Sequence, residues 1–226
     1  GSVGLNSTGQ ATIEVPAGNL TTTGDQNITV DADDVSNDTQ QLTLGPAQVD
    51  ELSVAGTSAP VDAGNTVTVD IRGVDQFDNP VDGNSSLNNL TIDSQFEDEI
   101  FSSGGETFDN SGNVTVTTDS PVTTANDSHT LTINTTDSNI TNAPLTQDID
   151  VNGGNVSEID ASDLRVDADA NNKELIISAT DQFDNPVSGV TITFGNDDGL
   201  FFDGSFTSGT TNADGEVVKT IDDQRT

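Results

Sequence analysis

The stretch Asp75-Gln76-Phe77-Asp78-Asn79-Pro80-Val81 returns unchanged as Asp181-Gln182-Phe183-Asp184-Asn185-Pro186-Val187, 106 residues further on. The flanks agree, since Val69 and Ile71 precede the first copy where Leu175 and Ile177 precede the second, in the apolar/polar alternation of half-buried strands. A glycine before an alternating run is a second marker: Gly9 before Ala11, Ile13 and Val15, Gly112 before Val114 and Val116, Gly215 before Val217, at intervals of 103 residues. A period of about 103 to 106 residues thus holds over three occurrences. Proline fixes φ and cannot donate to a ladder, so Pro80 and Pro186 mark a turn or strand start, and Phe77 and Phe183 fall at a sheet end.

That period divides the chain. Residues 1–46 read as the back portion of one repeat, 47–154 as a complete repeat, and 155–226 as the front portion of a third that lacks its last strands, the counterparts of Leu131-Thr132-Ile133 and Ile149-Asp150-Val151. Two readings of the open ends stand. The chain is a section of a longer array, or a neighbouring copy donates residues from about 20 to 46 to complete an exposed sheet edge.

Short alternating runs bounded by Asn, Asp, Gly and Pro recur: Ile28-Thr29-Val30, Thr66 to Ile71, Leu90-Thr91-Ile92, Val190 to Phe194. None shows the i, i+3, i+4, i+7 spacing of a long amphipathic helix, and β-branched Thr and Val suit a pleated sheet. The fold class is therefore all-β, with several strands per repeat of about 100 residues, as a two-sheet Greek-key sandwich requires. The nine phenylalanines are expected to supply much of its core.

Charge is extreme. Against 5 Lys and Arg stand 39 Asp and Glu, a formal net charge of −34 over 226 residues. Such a surface opposes its own compaction until molar salt shortens the screening length to about 3 Å, so the composition suits a salt-rich, halophilic setting. Low hydrophobicity (31%) also fits disorder, but the periodicity argues for folded repeats. A nucleic-acid backbone or an anionic membrane would repel this chain. No apolar run approaches 18 residues and no charged-then-apolar leader precedes one, so neither membrane insertion nor an export signal is read in this segment. Cysteine is absent, which excludes disulfides, zinc–thiolate sites and thiol nucleophiles.

At these residues the chain resembles the bacterial immunoglobulin-like domains of invasin and intimin adhesins. The likeness is clearest from Ala179 to Phe194, followed by Thr211-Asn212-Ala213-Asp214-Gly215-Glu216-Val217. The family usually has Gly where Asp184 stands, a change of turn chemistry. The complete repeat matches less well, because Asn84 to Asn89 reads as an insertion, and residues 1–46 match only through the internal repeat. The resemblance implies tandem immunoglobulin-like Greek-key β-sandwiches acting as spacers. Combined with the acidity, the whole is similar to haloarchaeal surface proteins, including S-layer and adhesin-like glycoproteins.

Eleven Asn-x-Ser/Thr sequons start at Asn6, Asn19, Asn27, Asn37, Asn84, Asn89, Asn113, Asn126, Asn134, Asn139 and Asn155, about twice the number that 22 Asn would give by chance. They point to N-glycosylation of an extracellular protein, or to loops in which Asn and Thr are merely abundant. Asp31, Asp33 and Asp34, and Asp167, Asp169 and Asn171, offer the hard oxygens that calcium takes, the one cofactor the sequence suggests. The alternative is a solvated acidic face, and an EF-hand starting at Asp167 fails because Asn172 and Ser178 stand where Gly and Glu are needed.

The single histidine, His129, is expected at an exposed edge ahead of a strand. A Ser-His-Asp triad is formally possible but no nucleophile elbow accompanies it, and with no Trp or Tyr a glycosidase would lack aromatic sugar platforms. No phosphate loop is present. The sequence therefore reads as non-enzymatic: a structural component of a halophile's cell surface, in S-layer, stalk or filament, whose partners are adjacent repeats or other copies of the chain. Alternatives are an adhesin or viral spike segment that contacts a cell surface through the loop Asn84 to Asn89, and the non-catalytic appendage of a secreted enzyme.

Overall fold

The computed structural model describes residues 3–14, 20–31, 36–162, 173–194 and 208–221. Every regular element among them is a strand, and no helix is long and apolar enough to cross a membrane. The fold is an all-β, immunoglobulin-like one.

Strands β1 (Gly24–Val30) and β2 (Asp38–Leu44) form an antiparallel hairpin. Next come β3 (Glu51–Thr57), β4 (Val61–Asp62), β5 (Thr68–Val74), β6 (Ser86–Leu87), β7 (Thr91–Ser94), β8 (Phe101–Ser102), β9 (Glu106–Thr107), β10 (Asn113–Thr117), β11 (Asn126–Asn134) and β12 (Leu145–Asn152). They build one sheet in the order β10-β5-β3 and a second in the order β4-β12-β11-β7-β8, with β6 and β9 as a separate short pair. The remainder holds β13 (Val156–Ala161), β14 (Lys173–Asp181), β15 (Thr191–Thr193), β16 (Ser208–Thr210) and β17 (Glu216–Ile221), as a sheet β13-β14-β17 and a pair β15-β16.

The two sheets of residues 51–152 close on an aliphatic core. Val67, Val69 and Ile71 run into and along β5 at alternate positions and are fully buried, while Arg72 faces solvent. They join a cluster with Ile92, Leu131, Ile133 and Ile149 from the second sheet. Period-two alternation thus places one face of each sheet inward, where each fully buried Ile or Leu is worth about 1.5–3 kcal/mol relative to exposure.

Among the described residues, phenylalanine divides between core and surface. Phe101 and Phe108 are buried, but Phe77, Phe96 and Phe183 are exposed because they sit on turns between strands instead of on inward strand positions.

The three marker glycines make one turn. Gly9, Gly112 and Gly215 have φ of 77°, 76° and 73°, in the left-handed region that favours glycine. Each closes a loop whose first residue accepts two backbone N–H groups on its side-chain oxygen. Asn6 takes those of Thr8 and Gln10, Asp109 those of Ser111 and Asn113, and Asn212 those of Asp214 and Glu216. At Gly112 a Cβ would meet Gly73 O at 2.9 Å, and at Gly215 it would meet Ala179 O at 2.8 Å, so the repeat needs glycine there twice over.

Candidate functional site: the joint between repeats

The repeated motif is a turn folded around its own aspartate. Asp181 Oδ1 accepts the backbone N–H of Phe183 at 2.8 Å and of Asn185 at 3.0 Å, and Asn185 Nδ2 donates to both carboxylate oxygens at 3.2 and 2.9 Å. Asp75 does the same with Phe77 N, Asn79 N and Asn79 Nδ2. Both aspartates are 2% exposed. Asp78 and Asp184 take φ of 63° and 65°, a conformation that Asp tolerates better than most residues.

The turn also reaches outward. Asp181 Oδ2 accepts Gly154 N at 2.8 Å from the segment that enters β13, and Asp75 Oδ2 accepts Ala47 N at 3.0 Å from the segment that enters β3. Asn185 Nδ2 donates to Thr123 O at 2.7 Å while its Oδ1 accepts Ala125 N at 2.9 Å, both on the loop before β11. Asn79 makes the matching pair, donating to Thr21 O at 2.8 Å and accepting Thr23 N at 3.3 Å just before β1. Each motif therefore binds with its Asp the segment that leads into the sheet of its own strand, and with its Asn a segment about 60 residues upstream.

Packing reinforces the second joint. A side chain at Gly153 would lie 2.3 Å from Pro186 O, one at Gly154 2.7 Å from Ala63 O, and one at Gly64 3.1 Å from the Phe183 ring. The backbones meet there with no room for a Cβ.

Electrostatics follow from the bonds. Burial alone would raise the carboxyl pKa values of Asp75 and Asp181. It is outweighed by the N–H groups of Ala47, Phe77 and Asn79 at Asp75, and by the Asn185 side chain with the N–H groups of Gly154, Phe183 and Asn185 at Asp181, so both are held below the ordinary carboxylate range. These donors stabilise the ionised form, which keeps the acceptors charged and the bonds strong.

Other sequence candidates lie elsewhere. Of the sequon residues, Asn6, Asn27, Asn37, Asn84, Asn89, Asn126, Asn134, Asn139 and Asn155 are exposed, Asn113 is half-buried on β10 opposite Arg72, and Asn19 falls outside the described residues. Asp31 is exposed, whereas Asp33, Asp34, Asp167, Asp169 and Asn171 lie outside the described residues. No group of three His, Cys, Asp or Glu able to hold a metal ion occurs among the described residues.

His129 corrects the expectation of an exposed edge. It is fully buried within β11, where Nδ1 donates to Thr124 O at 3.3 Å, Nε2 faces Glu97 Oε2 at 3.6 Å, and the Phe96 ring meets the imidazole edge-on at 5.1 Å between centroids. A hydrophilic neighbourhood in sequence, Asn126-Asp127-Ser128, concealed an inward strand position covered by a distant loop.

No protein-family model matches the chain, and no characterised protein sequence matches it. Solved structures do. FdeC, an Escherichia coli adhesin, is 17% identical with a TM-score of 0.52, the match covering 89% of this chain and 66% of that one. Domains 4–9 of the surface layer protein SbsC are 21% identical over 89% of this chain and 31% of theirs, with a TM-score of 0.30. The D0-D1 domain of intimin is 15% identical over 75% of this chain and 84% of its own, with a TM-score of 0.25. The chain thus spans about two thirds of the FdeC structure, with which it shares a fold.

Proposed function

We propose that the chain is a structural spacer of the extracellular surface of a salt-adapted cell, a stalk, surface-layer or filament segment in which the joints fix the direction of successive immunoglobulin-like repeats. The observation that carries this reading is the repetition of one joint, Asp75 with Asn79 and Asp181 with Asn185, each binding its connector and its predecessor through the same atoms. A catalytic site needs one constellation; a spacer needs the same contact at every step. The fold shared with an adhesin and the net charge of −34 support a surface location in brine, and nine exposed sequon asparagines support its glycosylation.

Small-angle scattering in molar KCl tests it. The wild-type chain should give one elongated shape, and the double variant N79A/N185A a broader spread of maximum dimensions. A wild-type spread as broad as the variant's overturns the spacer reading. Native material whose intact mass equals the bare 23.4 kDa polypeptide would remove the glycan.

One observation favours an adhesive second reading. The stretch Asn84 to Asn89 is anchored by the fully buried Leu87 of β6, and its exposed Asn84, Ser86 and Asn88 border a polar cleft of about 450 Å³ with Gln48, Thr136 and Asp137. Binding of the chain to cells that is lost in N84A/N88A, which leaves Leu87 in place, would support it.

A further inference from the structure

The receiving side of the second joint is itself held from beneath. Glu97, on the turn between β7 and β8, directs Oε1 at the loop that Asn185 grips: it accepts Thr123 N at 2.9 Å, Thr123 Oγ1 at 2.7 Å and Thr124 N at 3.1 Å. Its other oxygen accepts the Ser94 hydroxyl and faces buried His129 Nε2 at 3.6 Å. His129 in turn donates Nδ1 to Thr124 O at 3.3 Å. Glu97 therefore holds the N–H groups of Thr123 and Thr124 and His129 the carbonyl of Thr124, while Asn185 takes the remaining Thr123 O and Ala125 N.

Among the described residues His129 Nε2 has no hydrogen-bond partner, and Glu97 is the group that faces it. The arrangement makes sense as a preset socket, because an ordered acceptor loop loses less freedom when the next repeat docks.

We infer that Glu97, backed by His129, is the positioning residue that sets the angle between the complete repeat and the one that follows. The inference rests on the spacer reading above. It predicts that Glu97, whose own hydrogen bonds go to Ser94, Thr123 and Thr124, acts on the orientation of β13 to β17 through Thr123 and Ala125.

The chain contains no cysteine, so spin labels can be placed at T146C on β12 and T220C on β17 without background. Double electron–electron resonance in molar KCl should give one narrow distance distribution for the otherwise wild-type chain. E97A should widen it at least twofold while the chain still melts cooperatively, and E97Q, which keeps an acceptor oxygen, should widen it less. An E97A distribution as narrow as wild type overturns the inference. Should E97A fail to fold, E97Q carries the test: a widened distribution supports the inference and an unchanged one overturns it. N185A separates the two levels. If N185A widens the distribution and E97A does not, Glu97 has no positioning role; if N185A itself changes nothing, the joint and the spacer reading fall together.

Discussion

Asn185 donates its Nδ2 to Thr123 O at 2.7 Å across 62 residues of chain, and Asn79 does the same to Thr21 O at 2.8 Å across 58. The amide in each motif is thus spent on the neighbouring repeat as well as on its own turn.

Replacing Asn185 by Ala leaves Thr123 O and Ala125 N without their partner in the joint and removes two bonds to Asp181. Unsatisfied groups of this kind cost about 1–3 kcal/mol each when buried. Thermal melting should show N185A less stable by about that amount, with S188A, an exposed neighbour, unchanged.

Acid should weaken the same joint. Asp181 has a folded pKa below its unfolded value of about 3.9, so its stabilisation is full above that value and is lost as pH falls through the lowered folded one. D181N should be destabilised by about 1–3 kcal/mol at pH 7, and the gap to wild type should close as pH falls below about 4. Chemical denaturation at constant molar KCl checks this; a gap that stays constant down to pH 2.5 contradicts it.

The turn residue Asp184 sits at φ 65°. D184G should leave stability unchanged or raise it by up to about 1 kcal/mol, because glycine adopts that conformation without steric cost. D184V should lower it by about 1–3 kcal/mol, since β-branched residues are outliers there. Melting temperatures of the two variants falling in the opposite order would refute the backbone explanation.

Salt should raise the melting temperature. With a net charge of −34, going from 0.1 to 2 M KCl cuts the screening length from about 10 Å to below 3 Å. The expected gain is at least about 1 kcal/mol, or 4–8 °C. A melting temperature that does not move would mean the carboxylates are too far apart to matter.

Much of the fold was legible because it is written locally. Strand alternation around Val69 and Ile71 and the glycine turns at 9, 112 and 215 depend on neighbours within a few residues, and the period exposed itself through an identical heptapeptide. The joint was not legible in the same way. Asn79 and Asn185 stood in plain view inside that heptapeptide, but their partners lie some 60 residues upstream, and nothing in Thr21 or Thr123 marks a carbonyl as an acceptor. The one available signal was an invariant Asn in a turn that Asp alone could have closed. His129 was misplaced for a related reason: its burial depends on Phe96 and Glu97, more than 30 residues earlier, and not on its polar neighbours in β11. The exposure of Phe77, Phe96 and Phe183 was not legible either, because composition says how many large side chains exist and not which of them fall on inward strand positions.

The carboxylate of Asp181 holds its own turn with Oδ1 and the incoming connector with Oδ2. The same atom group therefore closes a local loop and clasps a neighbour, so the two cannot be undone separately. Under tension applied along the chain, the connector at Gly154 cannot peel away without disturbing the turn that begins at Asp181. Mechanical failure would accordingly start in the joint and enter the downstream repeat through its turn, and a stretched array would yield in discrete steps, one repeat at a time.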